Sequence, residues 1–186
     1  MDDWKWTKKL RKDKSLMHLV QELIDHNIDD FGAELFAKPA KVGLKSPPHQ
    51  DNFYWCLNDA NGLTVWIALD KSSRHNGGVY YYSGSHKKLL QHVNSFAPGS
   101  SQKVKNLNSL RNFKIITPSL KPGDCLIHHS LVVHGSAVNE SERSRIGLTI
   151  RYKSKKSKID KKMKSHYEKQ LVKQIDSRKN TINARF

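Results

Sequence analysis

The feature that most constrains the fold is the alternation of short apolar segments with turn signals through the middle of the chain. Between residues 37 and 152, segments of four to eight mostly apolar residues are separated by turns such as Asn61-Gly62 and Asn76-Gly77-Gly78. Strands at this spacing, with no long helix between them, are typical of an antiparallel sandwich or barrel. About eight strands in two sheets would make a jelly roll. We predict strands over residues 40–44, 50–56, 63–69, 79–82, 113–117, 124–128, 131–134 and 145–152.

The segments on either side of this region have helical patterns. Residues 15–28 place leucine, isoleucine and valine at helical spacing, with Ser15 as a candidate N-cap, and residues 159–176 carry a weaker stripe. Within the strand-rich region, residues 84–112 predict a short helix near 86–92 followed by a polar loop. We therefore predict an all-β core with flanking helices and divide the chain into a basic segment with an amphipathic helix (1–36), a strand-rich domain (37–152) and a basic C-terminal helix or tail (153–186).

Composition excludes several classes of protein. The 186 residues contain no apolar run near the ~20 residues that a membrane-spanning helix needs, and the N-terminus lacks the apolar stretch of a secretory signal. The two cysteines, Cys56 and Cys125, are too few for a disulfide framework and predict reduced thiols. We expect a soluble, cytoplasmic protein.

Basic charge is concentrated at the C-terminal end. The chain carries 33 basic and 17 acidic residues, a net charge of +16, and residues 153–180 alone hold eleven basic against three acidic residues. Such a segment could bind nucleic acid or another polyanion through counterion release. However, Tyr167 is the only aromatic residue between Lys153 and Lys179, whereas single-strand-binding surfaces interleave aromatic residues with charge. We therefore expect a solvated basic helix there.

The most informative stretch for chemistry surrounds His49 and Asp51. On a strand, residues two apart point to the same side, so the imidazole and the carboxylate would converge. They are two of the three ligands in the 2-His-1-carboxylate site that binds non-haem iron. By the same parity Phe53 and Trp55 would lie on that side of the predicted strand 50–56. The pair by itself is also compatible with an ordinary surface strand.

A third ligand would come from far along the chain, and three histidines are candidates. His128 and His129 end one predicted strand, whereas His134 ends the next and precedes Gly135, which permits close approach of the backbone. Eleven residues beyond His134, Arg145 opens a strand whose polar face could look into a pocket and bind a carboxylate in bidentate fashion. An ordinary salt bridge at a strand end is the alternative role of Arg145.

Taken together and in order, these residues resemble the phytanoyl-CoA dioxygenase family of Fe(II)- and 2-oxoglutarate-dependent oxygenases. The resemblance covers roughly residues 34–152, although His75 and Ser83 replace residues that are usual in the family. It rests on His49-Gln50-Asp51, the stretch 62–70, Asn76-Gly77-Gly78, Ser83-Gly84-Ser85-His86-Lys87, Gly123-Asp124, His134-Gly135-Ser136 and Arg145.

The resemblance implies a double-stranded β-helix, which is a jelly roll, and a 2-oxoglutarate-dependent dioxygenase. It implies that Fe(II) is bound by His49, Asp51 and His134. It also implies that 2-oxoglutarate is held by Arg145, with Ser136, Trp66 and Gln50 as further contacts. The expected reaction hydroxylates an aliphatic C–H bond of a small metabolite or acyl derivative with O2 as co-substrate and ascorbate as an activator.

Three other functions are compatible with parts of the sequence. A non-catalytic or truncated jelly-roll binding protein would suit the short segment before His49, and a module that binds a polyanion would use the basic tail. A zinc hydrolase could use the same three ligands, but no residue supplies a general base beside the metal. Turnover of 2-oxoglutarate would distinguish the dioxygenase from these alternatives.

Overall fold

The computed structural model describes residues 4–97 and 100–183, with side chains described as far as residue 177. The described residues form four α-helices and ten strands. The helices are α1 (Lys5–Arg11), α2 (Lys14–Leu23), α3 (Asn52–Trp55) and α4 (Lys161–Asn183). The strands are β1 (Ile28–Lys38), β2 (Ser46–His49), β3 (Gly62–Ala68), β4 (Val79–Tyr82), β5 (His92–Ala97), β6 (Ser100–Val104), β7 (Ile115–Ile116), β8 (Cys125–His129), β9 (His134–Ser136) and β10 (Arg145–Ser154).

Eight of these strands form two antiparallel four-stranded sheets. The first sheet has the order β1-β10-β3-β8 and the second β2-β9-β4-β7, while β5 and β6 form a separate hairpin. Successive strands alternate between the two sheets: β1 lies in the first, β2 in the second, β3 in the first and β4 in the second. This winding is that of a jelly roll, so the predicted fold class is confirmed.

The first sheet has an apolar face and a polar face. Leu63 and Val65 of β3, with Leu148, Ile150 and Tyr152 of β10, form the main hydrophobic core and are almost fully buried. Because side chains alternate across a strand, the intervening residues of β3 and β10 point the other way. The opposite face therefore carries Thr64 and Trp66 of β3 and Arg145, Gly147, Thr149 and Arg151 of β10.

The apolar face is covered by α2. Asp13 caps this helix by accepting a hydrogen bond from the Leu16 N–H at 3.0 Å, and Val20 on its inner face is fully buried against the sheet. The helix predicted over residues 15–28 thus begins and ends earlier, because Ile28 already starts β1. β1 pairs with β10 along its length and contains residues from both sides of the predicted boundary at residue 36.

Three predicted segments are corrected by the structure. Residues 50–56 form the short helix α3 and not a strand, and the strand expected at 40–44 lies instead at β2, after a turn. Most of the region 84–112, predicted as a helix and a polar loop, is the hairpin β5–β6 with short 3₁₀ helices on either side. β6 escaped prediction because its buried positions include a glutamine, Gln102, so the strand lacks an apolar pattern.

The C-terminal helix α4 packs against the hairpin. The amide of Asn94 donates to the Gln170 carbonyl at 3.0 Å, and the Phe96 N–H donates to the side chain of Gln174, which is buried. Asp160 caps the helix by accepting from the Lys162 N–H at 2.8 Å. Among the described residues no helix combines the length and the apolar character that crossing a membrane would demand.

Candidate active site

Two histidines face each other across neighbouring strands of the second sheet. His49 ends β2 and is the register partner of His134 at the start of β9, and their ring centroids lie 4.4 Å apart. The Nδ1 of His49 lies 2.8 Å from the Pro47 carbonyl oxygen, and that of His134 lies 3.0 Å from the Val132 carbonyl. A carbonyl can only accept, so each Nδ1 carries the proton and each Nε2 keeps a free lone pair.

Asp51 joins these histidines, although it does not lie on a strand. It follows β2 at the start of α3, where its main-chain carbonyl accepts hydrogen bonds from Tyr54 and Trp55. Its Oδ1 lies 3.9 Å from the Nε2 of His49 and 3.6 Å from that of His134. The ligand atoms of the three residues all lie within 4.8 Å of one another, which suits a single metal ion. The spacing thus predicted the convergence, but a turn produces it and not strand parity.

The protonation states of the three groups suit metal binding. Burial lowers the pKa of His49 and of His134 to about 4, so both imidazoles are neutral near pH 7. Burial alone would raise the pKa of Asp51, but the neighbouring His134 and a hydrogen bond with His128 outweigh it and hold that pKa below its usual value. Neutral imidazole and ionised carboxylate are the forms that bind a metal.

The second oxygen of Asp51 is occupied by protein donors. The Thr64 hydroxyl donates to Oδ2 at 2.6 Å, and the Nε2 of His128 lies 3.2 Å from the same atom. The Nδ1 of His128 in turn lies 3.2 Å from the Tyr81 hydroxyl. His129, the remaining candidate for the third metal ligand, is directed away from Asp51. Its Nδ1 accepts a hydrogen bond from the Leu131 N–H, and its ring lies beside His86.

Arg145 is a buried cation that forms no ion pair with a described carboxylate. Its residue is 2% exposed, its guanidinium lies 5.3 Å from the centroid of the Trp66 ring, and one Nη donates to the Gly77 carbonyl at 2.5 Å. No carboxylate of the described residues lies within ion-pair distance of it, and its Nε is buried without a hydrogen-bond partner. Burial lowers the pKa of Arg145 to about 10, so the group stays charged at neutral pH.

A second buried cation, which sequence analysis did not identify, lies beside Arg145. Lys38 ends β1 as the register partner of Arg145, and its Nζ donates to the Leu44 carbonyl at 2.7 Å and to the Ala137 carbonyl. Burial, and then the charge of Arg145, lowers the pKa of Lys38 to about 7. Two adjacent buried basic groups with no described carboxylate in ion-pair contact are the arrangement expected of an anion site, where a bound anion would favour the charged form of Lys38. Lys38 is one of 33 basic residues, and nothing in the sequence distinguishes it.

The other predicted contacts of 2-oxoglutarate occupy different settings. Trp66 is buried on the polar face of the first sheet, and a Cβ at Gly147 would lie only 2.1 Å from its ring, so a glycine is needed there. Ser136 is buried at the end of β9, between Ser46 and Val79 of the adjoining strands.

Gln50 is fully buried, and the protein itself binds its side-chain amide. The nitrogen donates to the main-chain carbonyls of Lys88 and Leu131, and the oxygen accepts from the Leu90 N–H at 2.7 Å. The side chain therefore ties the loop between β4 and β5 to the segment before β9.

Aromatic residues from α3 and α4 lie beside His49. The Tyr54 ring is 5.6 Å from His49 and 5.6 Å from Tyr167 of α4, and Phe53 stacks on His92 with centroids 4.4 Å apart. Trp55 instead packs edge-on against Phe31 of β1. Because these residues lie on a helix, Phe53 and Trp55 do not share a face as strand parity predicted.

Comparison with known proteins identifies the family. The family model described as phytanoyl-CoA dioxygenase (PhyH) matches residues 6–147. A probable phytanoyl-CoA dioxygenase of Caenorhabditis elegans is 28% identical over 149 residues, which cover 74% of this chain and 47% of the relative. The peroxisomal phytanoyl-CoA dioxygenase of Mus musculus is 26% identical over 147 residues, covering 75% of this chain and 43% of the relative. The chain thus spans about half the length of these relatives.

Solved structures share the fold at low sequence identity. EctD from S. alaskensis with bound Fe superposes with a TM-score of 0.72 at 20% identity, covering 84% of this chain and 56% of that one. The non-haem α-ketoglutarate-dependent carbocyclase SnoK gives a TM-score of 0.71 at 21% identity, covering 83% and 62%. Because the family model spans most of the described jelly roll, including all three of the converging ligand residues, this chain belongs to the phytanoyl-CoA dioxygenase family.

Proposed function

We propose that the chain is an Fe(II)- and 2-oxoglutarate-dependent dioxygenase that hydroxylates an aliphatic C–H bond of a small molecule or acyl derivative. The observation that carries this proposal is the convergence of His49, Asp51 and His134. Family membership supports it, and so do the fold neighbours, one of which was solved with Fe and, separately, with 2-oxoglutarate and 5-hydroxyectoine.

The donor set fits iron. Two neutral imidazoles and one carboxylate on one side of a metal are the ligands of non-haem Fe(II) oxygenases, and they leave three coordination positions open. The hydrogen bonds from each Nδ1 to a main-chain carbonyl fix the rings with Nε2 toward the metal position. Bound there, Fe(II) would supply the oxidative decarboxylation of 2-oxoglutarate by O2, which yields succinate, CO2 and the hydroxylated substrate.

The buried cations fit the co-substrate. 2-Oxoglutarate has two carboxylates, and the one distant from its keto group would neutralise Arg145 and accept from its unpartnered Nε. Lys38, adjacent in the sheet, would add a second positive charge to the same end. We propose that Trp66 and Ser136 also contact the co-substrate. Gln50 would act indirectly, by fixing the loops around the site, since its amide is already bound by main-chain groups.

The aromatic residues beside His49 would form part of the substrate wall. The ring of Tyr54 lies beside His49. Its hydroxyl is hydrogen-bonded to the main-chain carbonyl and N–H of Gln102, each at 3.2 Å. Tyr167 packs edge-on against Tyr54. A wall of aromatic rings helps to exclude water from the reacting carbon and suits an aliphatic group.

The test is formation of succinate and CO2 from 2-oxoglutarate by purified protein with Fe(II) and ascorbate, against a panel of small metabolites and acyl derivatives. We expect 2-oxoglutarate consumption that at least one panel member stimulates, and none in an Asp51→Ala variant. Equal succinate formation by the two proteins would refute the proposal. If 2-oxoglutarate binds the metal-loaded protein but is not turned over either alone or with any panel member, the result favours the alternative of a non-catalytic jelly-roll binding protein.

A further inference from the structure

Asp51 differs from the other two ligand residues because it lies outside both sheets. His49 and His134 are held by their strands, whereas Asp51 occupies the turn between β2 and α3, and its side chain makes no capping bond to that helix. The direction of its carboxylate must therefore be set by groups elsewhere in the chain. Two such groups, Thr64 and His128, both contact Oδ2.

These two groups form one unit on the first sheet. Thr64 of β3 and His128 of β8 are register partners, so both present their side chains to Asp51 from the same point of the sheet. Tyr81 of β4, which binds the other nitrogen of His128, is the register partner of His134 in the second sheet. The chain of contacts from Tyr81 through His128 to Asp51 thus joins the two sheets at the metal position.

The chemistry of the groups fixes the direction of each hydrogen bond. An ionised carboxylate has no proton to give, so the Nε2 of His128 must carry a proton and donate it to Oδ2. In a neutral imidazole the Nδ1 is then an acceptor, and the Tyr81 hydroxyl donates to it. Each donor in the series from Tyr81 through His128 to Asp51 therefore has an acceptor.

We propose that His128 is a positioning residue for the metal ligand Asp51 and not a fourth ligand. With Thr64 it occupies Oδ2, so that only Oδ1 faces the two imidazole Nε2 atoms. Asp51 would then bind a metal through one oxygen, which keeps three coordination positions open for 2-oxoglutarate and O2. This inference rests on the proposed metal site, but it can be tested without turnover.

The experiment measures metal affinity of the metal-free protein under anaerobic conditions, by titration with Mn(II) and Co(II). Replacing His128 by phenylalanine keeps a ring but removes the donor, and we expect 10- to 100-fold weaker binding, the range seen when a partner of a metal ligand is lost. His128→Gln retains an N–H donor and should recover most of the affinity. His129→Phe, one residue along β8 and directed away from Asp51, is the matched control and should bind as the wild type does.

Several outcomes would overturn the inference. Wild-type affinity in His128→Phe would show that Asp51 needs no such support, and equal losses in the Phe and Gln variants would point to His128 as a ligand. The number of coordinated imidazoles, counted by pulsed EPR with Mn(II), should be two in both the wild type and His128→Gln, whereas three in the wild type would identify His128 as a ligand. If His128→Phe fails to fold, Thr64→Val removes the other donor at similar volume and should also weaken binding. Normal metal binding by His134→Ala would instead refute the proposed metal site itself, and with it the proposed function.

Discussion

The buried guanidinium of Arg145, which forms no ion pair with the described residues, makes the sharpest prediction. Changing Arg145 to glutamine removes the charge that would hold the distal carboxylate of 2-oxoglutarate, while keeping a polar side chain. Among the described residues the substitution removes one hydrogen bond, to the Gly77 carbonyl, and the contact with the Trp66 ring. The gain from no longer burying an unpaired charge opposes those losses. We therefore expect ligand-free stability to change by only about 1 kcal/mol.

The loss should appear in co-substrate binding instead. Charge-assisted hydrogen bonds contribute about 1.5–3 kcal/mol each, so removing the guanidinium should cost about 2–3 kcal/mol of binding free energy. That corresponds to a Kd about 30- to 150-fold higher. At a 2-oxoglutarate concentration of about 100 times the wild-type Kd, the wild type gains about 2.7 kcal/mol of stability, and a variant with 100-fold weaker binding gains about 0.4 kcal/mol. For a chain of this size these values correspond to Tm increases of about 5–11 °C and 1–2 °C.

Both quantities can be measured with Ni(II)-loaded protein, which should bind the keto acid without turning it over. Calorimetric titration gives the Kd, and thermal unfolding with and without 2-oxoglutarate gives the Tm shift. Arg151→Gln is the matched control, because Arg151 lies on the same face of β10 but pairs with Glu34 at 3.9 Å. Equal affinities of the wild type and the Arg145 variant for 2-oxoglutarate would refute the role of Arg145. Weaker binding confined to the Arg151 variant would assign that role to Arg151.

Three further predictions concern other parts of the molecule. His134→Ala should abolish Fe(II)-dependent succinate formation with little loss of circular dichroism, since no spare ligand completes the site; full turnover would contradict the assignment. Lys38 has a pKa of about 7 when folded and about 10.5 when unfolded, so its burial penalty is complete below pH 7 and disappears as pH rises. Urea unfolding at pH 7 and pH 9 should therefore show that the free energy of unfolding of the wild type, relative to that of Lys38→Met, is about 2–3 kcal/mol higher at pH 9. The same change with pH in both proteins would refute the lowered pKa. Tyr167→Ala should lower the unfolding free energy by about 1–3 kcal/mol by removing its contacts with Phe53 and Tyr54, and the exposed Lys169→Gln should change it by less than 0.5 kcal/mol.

The jelly roll could be predicted from sequence because its central strands have strong local signals. β3 and β10 carry β-branched and leucine residues at alternating positions, and their bounds were nearly correct. β1 was missed because its pattern is irregular: a bulge follows Asp30, and charged residues interrupt the apolar ones. Its stability comes from pairing along β10, a contact more than a hundred residues away that no local window contains.

The basic tail shows a different limit of sequence reasoning. A net charge of +8 over residues 153–180 predicted a solvated helix, and the lysines of α4 between residues 161 and 173 are indeed exposed. Yet the same helix places Tyr167 against Tyr54 and buries Gln174 beside the β5–β6 hairpin. A few contacts on one face of a helix anchor it while the charges remain in water. Charge content alone cannot reveal such a narrow packed face.

The candidate ligands were recognisable from sequence, whereas the groups that orient them were not. His49 and Asp51 are two residues apart and of types that bind metals, so even an incorrect assumption of strand geometry brought them together. Thr64 and His128 support Asp51 from positions 13 and 77 residues away, and as types they are ordinary occupants of a strand. Their relevance comes from the register of β3 with β8, which sets both beside one carboxylate oxygen. A ligand on a turn needs such support more than a ligand on a strand does, because the backbone alone does not fix its side chain. The sequence could therefore predict which candidate ligands converge, but the way their geometry is maintained depends on strand register.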